Sequence, residues 1–93
     1  MKTYDVEHAH GAAIELNRYS EVNWHPRFVR CATIEEARGE MLSCILGRRD
    51  DEDRGEDYER GWETLAKRTR SANIGEVLAF DEDGWRIIVE VDA

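Results

Sequence analysis

Apolar residues recur with two different periods along this chain, and the order of those periods constrains the fold more than any other feature. Lys2 to His8 alternates. Tyr4 and Val6 share a side with Lys2 and His8, while Thr3, Asp5 and Glu7 share the other. Period two reads as a strand with one wet face. Ala12 to Tyr19 alternates again, Ile14 and Leu16 against Glu15 and Asn17. Ala9-His10-Gly11 between them reads as a turn, so the two stretches predict a β-hairpin. Ser20 to Pro26 reads as a loop, because proline ends regular pairing. Arg27 to Ala32 reads as a short third strand.

The period then changes. Ile34, Ala37, Met41, Leu42 and Ile45 follow the three-and-four spacing of one helical face, and Leu46 extends the stripe. Thr33 and Glu36 form a capping box at its start. Gly47 suits a helix stop, with Arg48 and Arg49 at the negative end of the dipole. Asp50 to Asp57 reads as an acidic linker, with Asp53 as a second helix cap. Tyr58, Trp62, Leu65, Ala66 and Thr69 form a second stripe, with acids at its start and Lys67, Arg68 and Arg70 at its end.

Period two returns at the C-terminal end. Glu76 to Phe80 reads as a strand. Asp81-Glu82-Asp83-Gly84 reads as a type I turn with Gly84 in the left-handed region. Trp85, Ile87, Val89 and Val91 then alternate with Arg86, Ile88, Glu90 and Asp92. The order β-β-β-α-α-β-β predicts an α+β two-layer sandwich: an antiparallel sheet of about five strands with both helices on one face. Pattern alone does not set the strand order.

At 93 residues the chain fits one domain spanning residues 1–93. No apolar run approaches bilayer length and the N-terminus has no apolar signal core, so a cytoplasmic protein with no membrane role is expected. Cys31 and Cys44 sit among apolar residues, which predicts two buried reduced thiols.

The formal net charge of −8 favours basic partners and disfavours direct contact with nucleic acid. Two acidic patches stand out: Asp50, Asp51, Glu52, Asp53, Glu56 and Asp57, running on to Glu59, and the turn acids Asp81, Glu82 and Asp83. Trp24 lies in a loop with a histidine and nearby arginines, a composition enriched at interface hot spots. These residues are the expected partner-binding set, and the partner is a basic protein surface.

Catalytic signals are sparse. His8 and His10 are two apart, so on a strand their rings share a face, but no third metal ligand is spaced to join them. His25, beside Trp24 and Pro26, is a candidate general base with no orienting partner. Arg48, Arg49, Lys67, Arg68 and Arg70 form a basic spot only if the two helix C-termini meet. No phosphate loop, nucleophile elbow or zinc-protease motif occurs. The expectation is therefore a non-catalytic interaction module with no catalytic residue, metal or cofactor. A small histidine-dependent enzyme or metal-binding domain and a nucleic-acid accessory protein are the alternatives.

Phe28-Val29-Arg30-Cys31-Ala32-Thr33-Ile34-Glu35-Glu36-Ala37 runs a strand directly into a capped helix, with hairpins predicted on both sides. In size, acidity and mixed architecture the chain resembles small phage and mobile-element proteins, anti-CRISPR proteins among them. The resemblance implies stoichiometric inhibition, with an acidic face occupying the basic nucleic-acid channel of a CRISPR surveillance complex or nuclease. The shared segment is a helix cap and assigns no residue a role.

Overall fold

The computed structural model describes residues 1–25, 29–51 and 55–91, with the Asp51 side chain outside that set. Strand β1 (Lys2–His10) leads into a single helical turn, α1 (Ala12–Glu15), and a 3-10 turn (Tyr19–Glu21). Strand β2 (Val29–Cys31), helices α2 (Ile34–Asp51) and α3 (Glu56–Arg68), and strands β3 (Leu78–Phe80) and β4 (Asp83–Val91) follow. The four strands form one antiparallel sheet in the order β2-β1-β4-β3. The architecture is the α+β two-layer class, with α2 and α3 on one face of the sheet.

The long pairing of β1 with β4 sets the register. Val6 lies opposite Ile87, His8 opposite Trp85 and His10 opposite Asp83. Even residues of β1 and odd residues of β4 therefore face the helices. Val6, Ile87, Leu78 and Trp85 meet Ala37, Met41 and Ile45 of α2 and Trp62 and Leu65 of α3 in one buried cluster. Trp62 is fully buried and meets Phe80 and Trp85 edge-on, at ring-centroid distances of 5.0 and 5.8 Å. Gly61, one residue before it, lies hard against the Phe80 ring, leaving no room for a β-carbon.

The expected fifth strand, Ala12 to Tyr19, does not form. Its first residues make α1, and the Arg18 N–H closes back on the Ala13 carbonyl at 2.8 Å. Ile14 is 2% exposed while Leu16 is 59% exposed, so the two do not share a face as an alternating strand requires. The physical reason lies across the sheet. Ala9, Gly84 and Ala79 stand side by side on three strands and make a floor without bulk. Ile14 drops onto that floor on the face opposite α2 and α3.

Three further expectations change. Helix α2 runs through Gly47 to Asp51, because Arg48 and Arg49 reach partners on β4 and α3 and hold the extra turn. The β3–β4 turn has Asp81, not Gly84, in the left-handed region at φ 57°; Asp83 already pairs with Phe80. Aspartate tolerates that conformation better than most side chains. The Thr3–Asp5–Glu7 face is not wet: Asp5 is fully buried beside Arg30, and Arg86 donates to Glu7 at 2.7 Å. Trp24 meets Arg86 on this side of the sheet, with the guanidinium 4.3 Å from its ring centroid.

The α2 cap forms as expected, with the Glu36 N–H donating to Thr33 Oγ1 at 3.1 Å. The return contact reaches one residue further, from the Ala32 N–H to Glu36 Oε2. Asp53 lies outside the described residues, and Gly55 precedes the first turn of α3. Cys31 and Cys44 are both free thiols, and burial above all pushes both pKa values up.

Candidate functional site

Two features of the surface can carry function: a histidine cluster at one end of the sheet and an acidic ridge on α3. The cluster arises from register. His8 and His10 are on the helix face of β1, and Asp83 opens β4 opposite His10. His8 Nε2 lies 2.9 Å and His10 Nδ1 3.0 Å from the same atom, Asp83 Oδ1. Arg48 Nε donates to Oδ2 at 3.0 Å. Burial by itself pushes the Asp83 carboxyl up, but the hydrogen bonds from His8, His10 and Arg48, with the arginine charge, outweigh it and hold the pKa at about 2.

An ionised carboxylate only accepts. His8 therefore carries its proton on Nε2 and His10 on Nδ1, which leaves Nδ1 of His8 and Nε2 of His10 as the second ring atoms. The His10 Nε2 atom faces Glu82 Oε2 at 3.4 Å. The His8 ring rests on Trp85 and stacks on His25, at centroid distances of 4.9 and 5.9 Å. The His25 N–H donates to the His8 carbonyl, so the loop follows the β1 edge. Two histidines thus share one buried aspartate, and the third, His25, joins them only through the His8 ring. Among the described residues, no group of three or more His, Cys, Asp or Glu side chains is arranged to hold a metal ion.

The acidic ridge follows from helical spacing. Glu56, Glu59 and Glu63 recur at three and four residues on α3 and, with Arg60, line one shallow depression. Asp57 is 98% exposed beside them and accepts from Arg60 at 3.0 Å. Arg49 at the end of α2 links to Asp50 and reaches Glu63 at 3.8 Å. The Tyr58 hydroxyl donates to Asp81, which brings the β3–β4 turn to the start of α3.

The expected partner-binding residues therefore divide. Asp50, Glu56, Asp57 and Asp81 are exposed, while Glu82 is partly buried and faces His10. Asp83 does not join them: it is 4% exposed and is consumed by the histidines and Arg48. Trp24 is partly buried and engaged by the Arg86 guanidinium. Glu52, Asp53 and the Asp51 side chain lie outside the described residues. Glu63 was not singled out from the sequence, although its spacing from Glu56 and Glu59 was available there.

The basic spot does not assemble. Helices α2 and α3 are antiparallel, so Arg48 and Arg49 sit at one end of the pair and Lys67, Arg68 and Arg70 at the other. Arg48 is bound to Asp83, Arg49 to Asp50 and Arg68 to Glu76. Among the described residues, no helix is long and apolar enough to cross a membrane. Comparison with known proteins finds no family, curated protein or solved structure that matches this chain.

Proposed function

We propose that this chain is a non-catalytic interaction module that meets a basic protein surface through the acidic ridge of α3. The observation that carries the reading is the alignment of Glu56, Glu59 and Glu63 around Arg60 on one exposed helix face, with Asp57 exposed on the same helix. The net charge of −8 adds a long-range field of the same sign. Such a field accelerates encounter with a basic surface and rejects acidic ones. Free thiols at Cys31 and Cys44 fit a reducing compartment such as the cytoplasm.

The narrower form of the reading is stoichiometric occupation of a basic nucleic-acid channel on a CRISPR surveillance complex or nuclease, and its test is competition with the nucleic acid. The general form is tested by capturing partners from lysate with the wild-type chain and with a Glu56→Gln, Glu59→Gln, Glu63→Gln chain. A partner that uses the ridge binds the wild type more slowly as salt rises and the substituted chain about tenfold more slowly at low salt. Equal association rates remove the ridge from the account.

One observation favours a second reading, a histidine-dependent reaction. Asp83 orients two imidazoles and leaves each a second nitrogen for proton transfer. Turnover of an ester or phosphodiester that His8→Ala abolishes, in a chain that still folds, would replace the first reading with this one.

A further inference from the structure

Strand β4 is nine residues long, but β3 covers only Asp83, Gly84 and Trp85 of its outer side. One further contact follows, where the Gly75 N–H donates to the Ile87 carbonyl at 2.8 Å and Ile74 bridges Ile87. Past Ile87, no strand lies along that side among the described residues. Backbone groups alternate along a strand, so Val89 and Val91 aim their N–H and C=O outward as Ile87 does.

Their side chains lie on the helix face, yet the helices do not reach them: Val89 is 37% and Val91 65% exposed. Ile74 at 46% lies beside Ile87, and Met1 at 87% precedes Lys2, which pairs with Val91. Among the described residues, Ile74, Val89 and Val91 are three of the five exposed large hydrophobic residues, and they line this edge, whereas Met1 continues β1 on the inner side of β4 and Leu16 lies elsewhere. An open strand edge flanked by apolar side chains is a template for strand addition.

We propose that the outer edge of β4 takes up an extended segment of a partner protein with the pattern apolar–basic–apolar opposite Val89, Glu90 and Val91. The register is forced because the Ile87 carbonyl is already taken, which leaves only Val89 and Val91 to form main-chain bonds. The partner residue between them then faces Glu90 as a non-hydrogen-bonded pair, where side chains approach most closely. A second copy of this chain is a poor occupant. Antiparallel self-pairing through Val89 and Val91 has its two-fold axis at Glu90, so Glu90 would meet its own copy between two chains of charge −8. In the complex with the partner segment Glu90 keeps its 3.9 Å contact with Arg30, and the basic residue of that segment adds to it. The inference uses none of the acidic ridge and stands or falls separately from it.

The test titrates three blocked nine-residue peptides of alternating threonine and valine, differing only in a central Lys, Ala or Glu, into the isotope-labelled full chain. The expected result is a shift of the Val89 and Val91 amides, with the Lys peptide at least fivefold tighter than the Glu peptide. A Glu90→Lys chain should reverse that order, and Glu90→Gln, the milder variant, should erase it; both are checked for a native spectrum first. The ridge triple substitution should leave the order unchanged. Affinity indifferent to the central residue, no perturbation at Val89 and Val91, or perturbation of those amides by protein concentration alone would each overturn the proposal.

Discussion

His8 and His10 converge on a single oxygen, Oδ1 of Asp83, at 2.9 and 3.0 Å. With Arg48 on the other oxygen, four side chains from β1, β4 and α2 close one end of the sheet. Removing the charge at the centre leaves three donors facing a neutral amide, one of whose two polar atoms is itself a donor. Asp83→Asn should therefore cost about 3 kcal/mol in urea unfolding, the scale for breaking a buried charged network. A cost below about 1 kcal/mol would mean that solvent replaces these partners freely.

The same carboxylate predicts an acid limit. Its folded pKa of about 2 lies below the model-compound value of 3.8, so it contributes stability above pH 3.8 and loses it as pH falls through about 2. The linked free energy is on the order of 2 kcal/mol. The urea midpoint should drop between pH 4 and pH 2, and Asp83→Asn should flatten that part of the profile. A profile identical in the two chains would show that other carboxylates govern acid unfolding.

Gly84 is required for space. A β-carbon there would meet Ile14 Cδ1 at 2.8 Å and Cγ2 at 3.4 Å. Gly84→Val adds β-branched bulk that a strand normally favours, yet here it should destabilise by about 1–3 kcal/mol through overpacking. Ile14→Ala in the same chain should recover part of the loss, as residues in contact are coupled. Thermal melts of the four chains of that cycle measure it.

Gly61 offers a comparison of opposite local preference. Replacing a glycine inside a helix by alanine ordinarily stabilises by about 1 kcal/mol. At Gly61 the added methyl strikes the Phe80 ring, which is held among Tyr58 and Trp62. Gly61→Ala should be destabilising in the wild-type background and turn neutral or favourable when Phe80→Leu is also present. The sign change, read by chemical unfolding, is the diagnostic.

Much of this arrangement was legible from local pattern. The Thr33–Glu36 cap, the Ala37–Met41–Ile45 stripe and the Trp62–Leu65 stripe appear as read, because each is specified by residues within a few positions of one another. The period-two strands β1 and β4 also form, although the Thr3–Asp5–Glu7 face read as wet is covered. The Ile14–Leu16 alternation misled because two apolar residues at spacing two fit a strand, while the small-residue floor that claims Ile14 comes from three separate strands. Gly47 misled for a related reason: the contacts of Arg48 and Arg49 outweigh a glycine's modest preference for ending a helix. The site was less legible than the fold. His8 and His10 were seen as neighbours, but Asp83 was grouped with surface acids since its burial depends on partners far away in the chain.

By itself the sequence determined the two long helices, the first and last strands, the α+β class and the net negative charge, because hydrogen-bonded periodicity and composition are properties of short segments. Tertiary structure alone decided that Asp83 leaves the acidic surface to join His8 and His10, 75 and 73 residues distant. It also decided that Val89 and Val91 end on an open edge. Both outcomes depend on strand register, in which a slip of one residue would turn every side chain to the other face.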